Sequence, residues 1–207
     1  MGIAKAENER LIMNDRRRRF ILLDRDGVIN RRHANGVAKG WETFEFLPRS
    51  LEALRLLAAN DYTGIVISRQ SCETDGVRTA SELDAITRRF LLEVALSQGH
   101  IAEVYYCRHR QADGCNCYKP SVGLIARAKS DYGFRLEETH FISESDSDLA
   151  LAAAAGCSTI RIQRDAFLWP GPHAEAFPMV ASNLYEAAEQ IVARAQVQQH
   201  LYAAVHA

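Results

Sequence analysis

Asp24 and Asp26 stand two residues apart, directly after the apolar run Phe20-Ile21-Leu22-Leu23 and just before Gly27. Carboxylates paired in this way at the mouth of a buried strand suit metal-assisted phosphoryl transfer. One can attack phosphorus and carry the phosphoryl group as an acyl phosphate. The other can protonate the leaving oxygen and later deprotonate water. An Asx turn closed by Gly27 would need a single aspartate. A second cluster is Cys107, His109, Cys115 and Cys117, three thiols and one imidazole. Four such ligands close a tetrahedral zinc site and leave no position for a water, so the metal expected here is structural. Asp113 and Gly114 allow the chain to reverse between the two ligand pairs. The five cysteines are an odd number, which argues against a disulfide framework.

Alternating elements must position these residues. Apolar, β-branched runs at 20–23, 63–68, 101–106, 139–142 and 158–162 read as buried strands, with a short sixth over 177–180. Amphipathic stretches at 49–60, 80–98, 122–132 and 146–155 read as helices, and a last helix starts at about Asn183. Pro48 suits the start of the first helix; Gly99, Gly133 and Gly156 follow the ends of the next three. Strand and helix in turn mean βαβ units and a parallel sheet covered on both faces. Ligands then bind beyond the carboxyl ends of the strands. Polar residues collect there: Asp24 and Asp26, 68–71, 107–119 and 143–148.

The stretch Asp24-Arg25-Asp26-Gly27-Val28-Ile29-Asn30 resembles the first motif of the haloacid dehalogenase-like phosphatases. Its wording is similar to the branch that contains D-glycero-D-manno-heptose 1,7-bisphosphate and histidinol phosphatases, and the C-x-H…C-x-C loop is a hallmark of that branch. The resemblance runs from about Phe20 to Ala188. It implies an α/β fold: a Rossmann-like parallel sheet flanked by helices, a haloacid dehalogenase-like fold without a large cap domain, and a zinc-binding loop. It implies Asp24 as nucleophile, Asp26 as general acid and base, Ser68 as the hydroxyl on the transferring phosphoryl group and Lys119 as the ammonium that neutralises it. Mg²⁺ is then expected on Asp24, Asp26, Glu144 and Asp148, the Asp26 ligand atom being its backbone carbonyl. Zn²⁺ is expected on Cys107, His109, Cys115 and Cys117. Arg25, Arg69, Gln70, Ser71 and Tyr118 are expected to contact substrate.

Five residues in three motifs depart from that pattern. Tyr118 stands where the family has arginine, and a phenol offers no guanidinium fork. Arg69 stands for asparagine, and supplies the missing cation either by gripping a phosphate or by sitting on Tyr118. Ser143-Glu144-Ser145 stands for Gly-Asp-Lys. Glu144 reaches roughly 1 Å further than aspartate, whereas Mg²⁺ wants oxygens at about 2.0–2.1 Å. A shifted backbone or an altered water shell would absorb the difference, and Asp146 is the second candidate.

The 207 residues suit one domain over 20–195, with an N-terminal extension over 1–19 and a tail over 196–207. A net charge of -1 gives no global field for nucleic acid, and the run Arg16–Arg19 reads as a solvated strand entrance. No apolar stretch approaches the roughly 18–20 residues needed to span a bilayer, and no secretory leader is visible, so a cytoplasmic protein is expected. Phe167 to Pro172 reads as a rim loop, and Cys72 and Cys157 as packed thiols. The expected partner is a small phosphorylated sugar, with neither nucleic acid nor membrane, acting on a monomer or weak homo-oligomer. The resemblance implies hydrolysis of a heptose (bis)phosphate for cell-surface glycans; histidinol phosphate is the alternative substrate. A reading of another class is a zinc-stabilised binding protein whose hydrolase chemistry has decayed.

Overall fold

The computed structural model describes residues 19–32, 40–70, 79–164 and 179–206. Ser71, Cys72, Arg16–Arg18, Phe177 and the Phe167–Pro172 segment lie outside these residues.

Six strands form one parallel sheet: β1 (Arg19–Leu23), β2 (Tyr62–Arg69), β3 (Ile101–Cys107), β4 (His140–Ser143), β5 (Ser158–Ile162) and β6 (Val180–Ala181). Their spatial order is β3-β2-β1-β4-β5-β6. Between them run α1 (Ser50–Ala59), α2 (Ala80–Leu96), α3 (Gly123–Tyr132), α4 (Asp146–Ala155) and α5 (Leu184–His206). Side chains alternate across β1, as the strand period requires. Ile21 and Leu23 join a core with residues of α1, α2 and α5, while Leu22 joins a second core with residues of α3 and α4. Both faces of β1 are therefore dry, which is why its sequence is continuously apolar.

The order places β1 between β2 and β4. The chain leaves β1 in one direction through β2 and β3, then returns to β1's other side with β4. That reversal opens a crevice beyond the carboxyl end of β1, where Leu23 pairs with Val66 of β2 and Ile142 of β4.

Most element boundaries shift by a residue or two from the sequence expectation, β6 starts three residues later, and two differences bear on the packing. Pro48 lies two residues ahead of α1, whose N-cap is Arg49 in a left-handed conformation (φ 63°). The side chain compensates by stacking its guanidinium 3.4 Å from the centre of the Tyr185 ring, on α5. α5 runs unbroken to His206, through the segment set apart as a tail. Among the described residues no helix is long and apolar enough to cross a membrane.

Candidate active site

Asp24 follows β1 and is held in the crevice by its own amide, which donates to the Ile142 carbonyl of β4 (3.0 Å). Gly27 turns the chain at φ +91°, and the amides of Val28, Ile29 and Asn30 all return to the Arg25 carbonyl (3.3, 2.9 and 3.1 Å). This tight loop presents Asp24 and Asp26 at one lip.

Lys119 arrives from the far side, two residues beyond Cys117. Its ammonium is buried between two carboxylates, 3.1 Å from Asp24 Oδ1 and 2.7 Å from Asp148 Oδ1. Burial works against the lysine's charge, but Asp24 and Asp148 outweigh it and raise its pKa. Asp24 is pushed up to about 6 by burial, with the charges of Asp148 and Asp26 adding to the rise and Lys119 opposing it. Desolvation with like-charge neighbours is the setting found at catalytic carboxylates.

Asp26 accepts from three side chains: Arg25 Nη2 (3.1 Å to each oxygen), Asn30 Nδ2 (2.8 Å) and Gln70 Nε2. Gln70 also donates to Ser68 Oγ (3.1 Å), so Ser68, Gln70 and Asp26 form one chain of bonds across the ends of β2 and β1. Arg25 corrects an expectation. Rather than facing substrate it is fully buried, with Nη1 donating to the Tyr106 hydroxyl (3.2 Å), which meets Thr87 Oγ1 at 2.9 Å. A guanidinium with no exposure can only serve the protein, and this one holds Asp26 in place.

The fourth motif divides its labour differently from the expectation. Asp148 faces Lys119 and accepts from the Ser143 hydroxyl, so here it orients the lysine. Asp146, the second candidate, turns outward to Arg161 (2.6 Å). Ser145 caps α4 by accepting from the Asp148 amide (3.3 Å). Glu144 lies directly over Gly27, where a Cβ would collide with its carboxylate. Its two oxygens accept from Arg32 Nε (2.8 Å) and Arg164 Nη1 (2.8 Å). Arg32 Nη2 also reaches the Asp26 carbonyl (3.2 Å), and Arg164 Nη2 donates to the Gly27 carbonyl. The Asp26 carbonyl and Glu144 Oε1 thus converge on one positive group. Both are hard oxygen donors of the kind Mg²⁺ takes. Among the described residues, no three of Asp24, Asp26, Glu144 and Asp148 bring side-chain oxygens within 4.8 Å of one another.

The one group that does converge in this way, among the described residues, is Cys107, His109, Cys115 and Cys117. The three S···S separations are 3.3, 3.4 and 3.8 Å, and His109 Nδ1 lies 3.1 Å from Cys117 Sγ and 3.9 Å from Cys107 Sγ. Zinc–sulfur bonds of about 2.3 Å in a tetrahedron put sulfurs about 3.8 Å apart, so these side chains fit a Zn²⁺. Burial pushes the Cys107 thiol up to about 12, so a cation is what would keep it a thiolate. The loop reverses at Gly114 (φ 60°) and is tied down where the Gly123 amide donates to the Asn116 carbonyl (3.0 Å).

Arg69 takes the second of its two expected positions. Its Nη1 donates to the Tyr118 hydroxyl (2.8 Å) and its guanidinium carbon lies 5.0 Å from that ring's centre. The pair sits beside Lys119 at the exposed end of β2.

Asn30, Arg32, Tyr106 and Arg164 were missed as members of this network. The rule that polar residues gather beyond strand ends, applied to β5, would have found Arg164. No local pattern marks Arg32.

No family model matches the chain. It is 32% identical over 146 residues, 70% of this chain and 82% of the relative, to the D-glycero-β-D-manno-heptose-1,7-bisphosphate 7-phosphatase of Pseudomonas aeruginosa. It is 33% identical over 148 residues, 69% of this chain and 78% of the relative, to the D-glycero-α-D-manno-heptose-1,7-bisphosphate 7-phosphatase of Mycobacterium bovis. Its structure is similar to the D,D-heptose 1,7-bisphosphate phosphatase of B. bronchiseptica complexed with magnesium and phosphate. That likeness has a TM-score of 0.78 and 30% identity, covering 85% of this chain and 99% of the other.

Proposed function

The chain belongs to the heptose-1,7-bisphosphate phosphatases of the haloacid dehalogenase-like superfamily and is a phosphatase; from that footing we propose that it removes one phosphate from a heptose bisphosphate by way of an aspartyl-phosphate on Asp24. The relatives' named substrate supports the sugar, over histidinol phosphate. The observation that carries the chemistry is the Lys119 ammonium clamped between Asp24 and Asp148 at the crevice beyond β1. Membership in a phosphatase family replaces the reading of a decayed binding protein.

Asp24 attacks phosphorus in line, and its Lys119 partner offsets the negative charge spread over the phosphoryl oxygens. Ser68 Oγ is available to donate to one of those oxygens. Asp26 must first take a proton from solvent on the oxygen that Gln70 releases; as the bond to the sugar oxygen breaks, it gives that oxygen this proton. Asp26 then takes a proton from the water that cleaves the aspartyl-phosphate. For either transfer it must release one of its three donors. Rotation of the Gln70 amide leaves Arg25 and Asn30 holding the carboxylate. Asp24, the Asp26 carbonyl and Glu144 would hold Mg²⁺, which when bound supplies charge neutralisation at the phosphoryl group. The Cys107, His109, Cys115, Cys117 loop would hold Zn²⁺ and fix Lys119. All of these residues lie within one domain, 20–195.

The test is phosphate release from a panel containing heptose 1,7-bisphosphate, other sugar phosphates and histidinol phosphate, with and without Mg²⁺. Release from the heptose bisphosphate at least tenfold above the rest, and dependent on Mg²⁺, is expected. Equal or greater turnover of histidinol phosphate would overturn the substrate assignment.

Arg69, held on Tyr118 through Nη1, has its other guanidinium N–H groups to offer, and we propose that these meet a substrate phosphate in place of the arginine absent at 118. Arg69→Ala is accordingly expected to raise KM about tenfold or more, with a smaller change in kcat, since a charge-assisted contact to phosphate is worth roughly 1.5–3 kcal/mol. Unchanged steady-state kinetics would remove Arg69 from the site.

A further inference from the structure

Around Asp24 the charges balance without any metal. Asp24, Asp26, Glu144 and Asp148 are matched by Lys119, Arg25, Arg32 and Arg164. Three of these cations leave the assigned cation oxygens other than Asp24's free: Lys119 lies on Asp24 and Asp148, Arg25 on the Asp26 carboxylate, and Arg164 on Glu144 Oε2 and the Gly27 carbonyl. Arg32 is different. One guanidinium bonds Glu144 Oε1 (2.8 Å) and the Asp26 carbonyl (3.2 Å), two of the three oxygens assigned above to the divalent cation.

From this geometry we infer that Arg32 is a built-in competitor for the cation of the site, a latch that must open before Mg²⁺ is held at full strength. The inference rests on the cation role given above to Asp26 and Glu144. Two cations drawn to the same pair of oxygens repel each other, so while Arg32 stays on Glu144 Oε1 and the Asp26 carbonyl a Mg²⁺ at about 2.0–2.1 Å from both is held more weakly. The two partners of Glu144 are not equivalent in what they would do during the exchange. Arg32 has a side chain 46% exposed, so its head can swing into water while its stem stays on the surface. Arg164 bonds Glu144 Oε2 and the Gly27 carbonyl, neither of which is a cation ligand in this assignment. Its side chain is 41% exposed, close to Arg32's, but it has no oxygen of the cation set to give up, so it can stay and hold Glu144 over Gly27 by Oε2 after Arg32 leaves. That arrangement also accounts for glutamate at 144. The longer side chain reaches over Gly27 far enough to meet both arginines, and the absence of a Cβ at 27 leaves room for it.

A closed latch lowers apparent cation affinity by the fraction of molecules in which it is open. Closed nine-tenths of the time, it weakens binding about tenfold. The test is Mn²⁺ binding to the purified protein, followed by the loss of the free-ion electron paramagnetic resonance signal, with no phosphate ester present. Arg32→Ala is expected to lower the Kd for Mn²⁺ at least tenfold. Arg31→Ala is the control: it removes one positive charge from the neighbouring position, where Arg31 pairs with Glu45 (2.7 Å), and is expected to change Kd less than twofold. Equal or weaker binding by Arg32→Ala overturns the inference while leaving the proposed function standing. Equal tightening by both variants also overturns it, because general charge, not a latch, would then be the cause. No binding by any of the three proteins overturns it together with the cation role of Glu144.

Discussion

Asp24→Asn is expected to lower kcat for phosphate release by at least about 10³-fold, since an amide cannot serve as the nucleophile that accepts the phosphoryl group. The substitution is a clean one on structural grounds. Asparagine keeps the shape of aspartate, the amide that donates to the Ile142 carbonyl is unaltered, and Lys119 keeps its 2.7 Å partner in Asp148. The melting temperature should therefore stay within about 4 °C, the shift that roughly 1 kcal/mol gives a chain of this size. Phosphate-release kinetics and a thermal melt on the same preparation separate lost chemistry from lost fold. Turnover surviving in a folded variant would sink the covalent mechanism. Retained turnover with Asp26 as the sole essential acid would point to direct attack by water instead.

Removing the metal of the cysteine loop is the other change expected to be severe. Elemental analysis should find about one zinc per chain. Cys117→Ser should lose it, melt about 10 °C lower and turn over at least tenfold more slowly. The stability loss follows from a loop with few apolar side chains: metal binding is what folds such a segment, and a cost of about 3–4 kcal/mol corresponds to that shift. The activity loss follows from distance along the chain. Lys119 is two residues from Cys117, and the segment between zinc ligand and helix is tied down by the Gly123–Asn116 bond. With the loop slack, the ammonium no longer finds both Asp24 and Asp148. An unchanged melt and full activity in a metal-free variant would show that the loop holds its shape without the ion.

Much of the scaffold was legible because it is written in local patterns. Phe20–Leu23 and Ile65–Ile67 are apolar at consecutive positions, as a strand covered on both faces requires, and the alternation with amphipathic helices implies parallel pairing. The cysteine loop was legible for a similar reason, since its ligands are close in sequence and their valence closes a tetrahedron. Helix α1 shows the limit of such reading. Pro48 suggested its start, but a stacking contact with Tyr185, 136 positions downstream, allows Arg49 a left-handed cap.

The site residues divide along the same line. Asp24 and Asp26 sit immediately beyond β1, and their type and spacing suggest phosphoryl chemistry by themselves. Ser68, at the end of β2, and Lys119, beside the metal loop, instead take their expected roles from the family resemblance. What each charge is paired with could not be read there. Arg25 lies between two acids, and whether it faces solvent or protein depends on Tyr106 and Thr87, which come from β3 and α2. Asp148 serves Lys119 because α4 and the metal loop meet behind Asp24. Arg32 and Arg164 meet over Glu144 although 132 positions separate them. A chain records which ionic groups it carries and roughly which strand ends bear them. Coulomb attraction acts through space, however, so the assignment of partners waits until packing has brought the loops together.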